Sequence, residues 1–402
     1  MAQHRTGEMG NNAQPDPQAG PATVAVHGGQ RERGAAGFPS PHLILNSAVL
    51  LDSVEQGWEM LTNESTENIA YQRYANPTVR VLEDKFARME GARYALAVNT
   101  GMTACFLLFR ALLRTGDHLV TCHSLYHEIS DQMVYDRESC GVDCSFVSDY
   151  TVDGFRNEFR PNTRLVFIES PTNPSMFDVD IPALAEFCQS RGAVLVVDNT
   201  LLTHEYQKPL RLGAAVALYS TTKVLNGHGD VMGALITVND AELYQRLKFL
   251  RENAGLVLDP FSAWLTIRGL RTLPLRLQRH TENALRIIEF LQANYPQLPI
   301  RYPLWCPNSA TNQVSGGGGV VSIVLPSKAQ GTQLMRSLSL FKIGTTFGNL
   351  ESLVYHFGTF ARPSRDITKI GIPLGLIRLS VGIEDARDII ADLAQAMKTV
   401  MG

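Results

Sequence analysis

Between residues 94 and 238 the chain alternates short apolar runs with segments of helical spacing, and this alternation limits the fold more than any other feature. The apolar runs cover 94–98, 118–122, 165–169, 193–197, 215–219 and 232–238. Helical stretches lie between and before them. In 79–89, Leu82, Phe86 and Met89 share one face before Gly91; 102–114 closes at Gly116; and 181–191 is followed by Gly192. Strands this apolar have both faces covered, and intervening helices return the chain so that the next strand runs in the same direction. The expected fold class is therefore α/β with a mostly parallel sheet. Ligands of such sheets sit beyond the carboxyl ends of the strands. That rule selects Gly101 and Met102, residues 169–173, residues 198–200 and residues 220–223.

After about residue 253 the pattern changes. Long helices are expected over 261–295, a glycine-rich turn at 315–319, strands at 320–325 and 376–381, and a final helix. Ile389, Leu393, Met397 and Val400 stripe one face of that last helix. The organisation expected is a disordered tail over 1–22, poor in large apolar residues, and an arm over 23–70. A large domain over 71–255 and a smaller C-terminal α/β domain over 256–402 follow. A chain of 402 residues is long enough for two cores. Its net charge of −3 argues against nucleic acid and anionic membranes as partners, and no apolar run approaches the roughly 20 residues that cross a bilayer. Six dispersed cysteines do not make a disulfide scaffold and suit a reducing cytoplasm. Cys140 and Cys144, with Cys122 and His123 upstream, lack the C-x-x-C knuckle of structural zinc sites, so no metal is expected.

Three of the selected strand ends carry complementary chemistry. Asp198 closes an apolar strand, where a carboxylate is best used against a cation. Lys223 follows the next strand in Ser220-Thr221-Thr222-Lys223, which sets hydroxyls beside an amine. The turn Asn99-Thr100-Gly101-Met102 opens a helix whose first N–H groups suit a phosphate. Singly, each reads more readily as a cap, a surface lysine or a turn. Together they supply what pyridoxal 5′-phosphate (PLP) requires: an amine for its aldehyde, an acid for its pyridine nitrogen and donors for its phosphate.

Nine collinear segments sharpen this reading. They are TVAVHGGQ from Thr23, YQRYANPT from Tyr71, LEDKFARMEGA from Leu82, NTGMTA from Asn99, ESPTNP from Glu169, VVDNT from Val196, STTKVLNGHGD from Ser220, RGLRTLPLRL from Arg268 and LIRLSVGIED from Leu376. The chain resembles the Cys/Met-metabolism PLP-dependent enzymes: cystathionine γ-synthase, the cystathionine lyases, methionine γ-lyase and the O-acylhomoserine sulfhydrylases. The resemblance implies PLP fold type I, the aspartate-aminotransferase-like fold. It implies that Lys223 carries the cofactor covalently and Asp198 faces the pyridine nitrogen. Gly101, Met102, Ser220 and Thr222 would cradle the phosphate, Asn173 would lie near the 3′-oxygen, and Tyr126 would stack on the ring. Tyr71 and Arg73 would reach the phosphate of a neighbouring subunit, with the 23–70 arm contacting that neighbour, in a homotetramer built from two dimers. Arg378 would grip the substrate α-carboxylate. In an alternating strand Leu376-Arg378-Ser380, that arginine would ordinarily face solvent.

The activity implied is γ-replacement or γ-elimination on an amino acid with a leaving group at Cγ, with Lys223 moving the Cα proton and Tyr126 or Tyr71 serving the leaving group or nucleophile. Three departures bear on the substrate. Where the family reads Tyr-Gly-Gly-Thr, this chain has Tyr126-His127-Glu128-Ile129, which makes His127 and Glu128 candidate substrate contacts. The family's Ser-Leu-Gly-Gly-x-Glu-Ser-Leu becomes Thr346-Phe347-Gly348-Asn349-Leu350-Glu351-Ser352-Leu353, with Thr346 and Glu351 as further candidates. Gly-His-Ser-Asp becomes Gly227-His228-Gly229-Asp230. A substrate outside housekeeping methionine synthesis is one reading of these changes. A β-eliminating C–S lyase and a catalytically idle binding protein are the rival functions.

Overall fold

The computed structural model describes residues 19–29, 40–62, 70–305, 313–361 and 367–402. Most of the expected N-terminal tail and Cys306 lie outside them. A short helix, Pro21–His27, starts inside the segment read as tail, with Ala25 buried.

A seven-stranded sheet comprises β1 (Tyr94–Val98), β2 (His118–Cys122), β3 (Asp143–Val147), β4 (Thr163–Glu169), β5 (Val194–Asp198), β6 (Val216–Ser220) and β7 (Ala234–Val238). Their order is β1-β7-β6-β5-β4-β2-β3. Pairings are parallel except those of β7, which runs antiparallel to both β1 and β6. The mostly parallel α/β reading of the sequence therefore holds. Helices begin where side chains can satisfy their free N–H groups. Asn76 accepts from Thr78 and Val79 ahead of Pro77–Glu90, and Thr100 accepts from Thr103 ahead of Gly101–Leu112.

Several elements of this layer escaped sequence reading, among them β3, His127–Cys140 and the helix Ala241–Ala254. Strand β3 lies at the sheet edge and is only partly buried. Helix His127–Cys140 buries only Ile129, Ser130, Met133 and Asp136, too few apolar residues for a clear stripe.

The second sheet contains β8 (Ile300–Arg301), β9 (Val320–Val324), β10 (Lys342–Ile343), β11 (Leu353–His356) and β12 (Leu376–Ser380), in the order β10-β11-β12-β9-β8. Only the β10–β11 pair is parallel. The final helix, Ala386–Met401, lays Ile389, Leu393 and Met397 fully into this sheet's core, and Val400 packs at its edge. Each such side chain contributes about 1.5–3 kcal/mol of burial.

Helix Leu273–Asn294 ties the two layers together. Its first turns put Leu273 and Leu277 among Phe86, Tyr219 and Leu225 beneath the large sheet. Further along, Ile287, Ile288 and Leu291 enter the small-sheet core. The small sheet is thereby held over the strand ends of the large one.

Candidate active site

The strand ends of β1, β4, β5 and β6 enclose a cavity of about 450 Å³. Thr100, Gly101, Met102, Tyr126, Asn173, Asp198, Ser220, Thr222 and Lys223 line it, along with Phe347 from the small-sheet side. Residues scattered over some 250 positions of sequence thus converge because parallel strands deliver their loops to one edge.

Lys223 sits in a wide turn, Thr221–Leu225, of π-helical hydrogen bonding that is interrupted at the lysine itself (φ −96°, ψ −144°). Such irregular turns are frequent at functional sites. Buried Arg276 braces this one by donating to the carbonyls of Val224 (2.8 Å), Leu225 (3.0 Å) and Gly269 (2.8 Å). Two glycines make the arrangement possible. At Gly227 (φ +76°) a Cβ would lie 2.0 Å from the Arg276 guanidinium. At Gly348 (φ +80°) it would lie 2.7 Å from the Val224 nitrogen. The left-handed backbone at both positions favours glycine in any case. The second contact presses the 346–348 loop directly onto the lysine turn. Lys223 Nζ accordingly donates to Thr346 Oγ1 at 3.0 Å and lies 5.4 Å from the Phe347 ring centre.

Burial first, and then the nearby Arg378 charge, lower the Lys223 amine to about 8, with Asp198 and Glu128 opposing the shift. The neutral fraction near neutral pH is therefore far larger than that of a solvated lysine, which favours a nucleophilic amine. Asp198, at the end of β5, accepts the Thr200 N–H at 2.9 Å. Burial raises its carboxyl, while Thr200 and Lys223 pull it down. A cation at this point would stabilise the ionised form.

These features fit PLP. Lys223 supplies the amine and Asp198 a partly buried carboxylate for a protonated pyridine nitrogen. The first N–H groups of helix Gly101–Leu112 have no intrahelical acceptor, and Gly101 backs onto Ser220, where a Cβ would stand 3.6 Å from Oγ. Ser220 and Thr222 both face the Gly233 carbonyl at 3.5 Å, and the Gly233 N–H donates to the Thr222 hydroxyl at 3.2 Å. Hydroxyls and helix N–H groups are thus gathered where a dianion would be held. Tyr126 stands at the cavity wall, and desolvation, then Glu128, push its phenol up to about 12. It keeps its proton at neutral pH.

Arg378 departs from the solvated position that its alternating strand suggests. It is 4% exposed, because β12 is buried along its whole length, on both faces. Its Nη1 donates to Asn173 Oδ1 at 3.1 Å and its Nη2 to the Thr346 carbonyl at 3.0 Å. The rings of Phe347, Tyr355 and Phe357 lie 5.3, 5.6 and 5.7 Å from its guanidinium carbon. Among the described residues no carboxylate forms an ion pair with it. A buried guanidinium facing only neutral acceptors and π faces is suited to an incoming carboxylate.

The remaining expected residues lie further out. Tyr71 is 45% exposed and outside the cavity lining, as is Arg73, which donates to the Glu252 carbonyl at 2.9 Å and covers the Tyr74 ring at 4.7 Å. His127 Nε2 pairs with Glu128 Oε1 at 2.7 Å, both partly exposed. Glu128 does not line the cavity, although its charge acts on Tyr126 and Lys223. Glu351 is exposed on the loop before β11. Sequence reasoning assigned no role to Glu169, whose carboxylate accepts the backbone N–H groups of both Tyr126 (2.7 Å) and Asn173 (3.1 Å). Its pattern, a carboxylate closing an apolar strand, is the same one that drew attention to Asp198.

Comparison with known proteins gives a consistent result. The sequence matches the family described as Cys/Met metabolism PLP-dependent enzyme over residues 22–398. It is 37% identical to cystathionine gamma-synthase of Mycobacterium tuberculosis, across 99% of this chain and 100% of that protein. It is 34% identical to L-methionine gamma-lyase of Fusobacterium nucleatum subsp. polymorphum, across 95% of this chain and 98% of that one. The crystal structure of metB from Corynebacterium glutamicum superposes with a TM-score of 0.87 at 32% identity, covering 96% of this chain and 99% of the other.

Proposed function

Because the chain belongs to the Cys/Met metabolism PLP-dependent enzyme family, we propose that it carries out γ-replacement or γ-elimination on a 2-amino acid bearing a leaving group at Cγ. The observation that carries this reading is the convergence on one cavity of the Lys223 amine, the Asp198 carboxylate and Asn173, with Arg378 hydrogen-bonded to Asn173 just behind the lining. PLP, when bound, supplies the electron sink that makes protons at Cα and Cβ removable. Lys223 would hold the cofactor through its amine and would take the Cα proton of the substrate. Asp198 keeps the pyridine nitrogen protonated. Gly101, Met102, Ser220 and Thr222 hold the phosphate. Arg378 grips the α-carboxylate, and its fork is oriented by Asn173 and the Thr346 carbonyl. Protonated Tyr126 donates to the leaving group.

Finer features belong to the same reading. Tyr71 and Arg73 serve the neighbouring subunit of a dimer, two dimers making a homotetramer. Exposed Tyr71, and Met232, which lines the cavity yet is 65% exposed, support a partner covering the mouth. Two separate apolar cores, one under each sheet, support a large PLP-binding domain and a small C-terminal domain dividing near residue 255. Free thiols at Cys105, Cys122, Cys140, Cys144 and Cys188 support a cytoplasmic setting; among the described residues no helix is long and apolar enough to cross a membrane. The His127–Glu128 pair beside Tyr126 supports a substrate that differs from cystathionine.

Product analysis with γ-substituted amino acids, with and without thiols, tests the proposal. Release of 2-oxobutyrate, or a new thioether, is expected. Pyruvate as the sole keto acid would assign β-elimination instead, and a protein that gains no visible absorption with PLP would be an idle fold. Efficient turnover of cystathionine and O-succinyl- or O-acetylhomoserine would remove the case for a specialised substrate.

A further inference from the structure

Glu169 lines the cavity, yet the chemistry above gives it nothing to do. It closes β4, is 6% exposed, and pairs in register with Asp198 on β5. Residues in register on neighbouring parallel strands project to the same side, so the two carboxylates share one face of the sheet, Glu169 buried and Asp198 partly so. Glu169 spends its two oxygens on two different loops: Oε1 accepts the Tyr126 N–H at 2.7 Å and Oε2 the Asn173 N–H at 3.1 Å. From Asn173 the chain of contacts continues, Oδ1 accepting from Arg378 Nη1 at 3.1 Å. One side chain therefore joins the backbone of the residue beside the cofactor ring to the residue that aims the substrate-binding guanidinium.

We propose that Glu169 is a positioning residue, its two-oxygen bridge setting the Tyr126 loop and the Asn173–Arg378 pair in fixed relation and so orienting the substrate carboxylate. The proposal rests on the assignment of Arg378 to that carboxylate. An ionised carboxylate accepts equally well at both oxygens, whereas a protonated one offers a hydroxyl at one of them. Burial and the Asp198 charge raise the Glu169 carboxyl, and the two N–H donors pull it down. Positive charge placed beside Asp198 lowers the repulsion between the two groups and favours the form that bridges.

E169Q tests this. Glutamine keeps the shape but turns an NH2 toward one of the two backbone N–H groups, so one arm of the bridge is lost. In the apoprotein, amide exchange over 124–128 and 171–175 is expected to accelerate selectively. In the holoenzyme, KM for the amino acid is expected to rise about tenfold, the cost of one lost hydrogen bond to a charged group, with kcat changed much less. N173A, which cuts the chain at its next link, is expected to give a similar rise, and E169Q/N173A no more than the single variants, since both break one path. A purely structural Glu169 would lower thermal stability while leaving KM within about twofold, and its effect would add to that of N173A; either result overturns the proposal. Should E169Q not fold, E169D, which keeps the charge but reaches one methylene less far, takes its place in the same cycle. If R378A leaves KM unchanged, the carboxylate assignment fails by itself, and exchange in the apoprotein still decides the role of Glu169.

Discussion

The two sides of the cavity are built by different means. On the large-sheet side, Gly101, Asp198, Ser220 and Lys223 follow directly from strands, so the hydrogen-bonded ladder that forms the sheet also sets their spacing. On the small-sheet side, Thr346, Phe347 and Arg378 reach the site through side-chain and loop contacts between residues 123 to 205 positions apart. In the function proposed here, the first side carries the groups that hold the cofactor and the second those that meet the substrate. A ladder suits parts that must be the same for every turnover. A separately built layer allows the substrate wall to change without disturbing them, and the changes at 346–349 fall on that wall, whereas those at 127–128 lie on the large-sheet side, in the helix after β2.

Lys223→Ala should break the large-sheet side most completely. Activity is expected to fall by about a thousandfold or more, as for other covalent-catalysis groups, and mass spectrometry should find no cofactor linked after borohydride reduction. A linkage surviving through another side chain would refute the assignment of Lys223.

Arg378→Ala addresses the other side. KM for the amino acid should rise by about a hundredfold, the loss of a bidentate charge-assisted contact, while cofactor content by absorbance stays near that of the unaltered protein. Arg378→Lys should restore only part of the affinity, because a point charge replaces a planar fork. Loss of cofactor from R378A would show that the two sides are not separable.

A pH experiment sharpens the link between them. With the Lys223 amine lowered to about 8 by burial and by Arg378, uptake of PLP by the apoprotein should quicken as pH rises through that value and level off above it. The neutral amine is the reactive form, so its fraction grows with pH. In R378A the midpoint should move upward, since a positive neighbour no longer disfavours the ammonium. An unmoved midpoint would mean that the guanidinium charge does not reach the lysine. The smallest effect is expected from Thr346→Val, which removes the acceptor 3.0 Å from Lys223 Nζ; about a two- to tenfold change in turnover corresponds to one such hydrogen bond.

Much of the large-sheet side was legible in the residues. Asp198 and Lys223 each end an apolar run, and a run that is apolar throughout declares a buried parallel strand whose end points at the ligand edge. Edge strand β3 and the weakly amphipathic helix His127–Cys140 were not legible, since neither buries enough apolar surface to impose a period. Arg378 shows the limit from the other direction. Alternation along β12 pointed it outward, and outward here means against Asn173 and the 346–347 loop rather than into water. Glu169 was visible as a strand-end carboxylate, but its two acceptor contacts join loops 43 and 4 residues away, one of them beyond any local pattern.

By itself the sequence determined the parallel α/β layer, the strand ends that carry the amine and the carboxylate, and through its motifs the family and cofactor. These follow from local periodicity and from residue types at fixed spacing, which a linear chain displays. Only the tertiary structure decided that Arg378 is buried against three aromatic rings, that Gly348 seats its loop on the lysine turn, and that Glu169 bridges Tyr126 to Asn173. Those outcomes depend on contacts between segments brought together only by folding, and close packing is a property of the assembled volume rather than of any one segment.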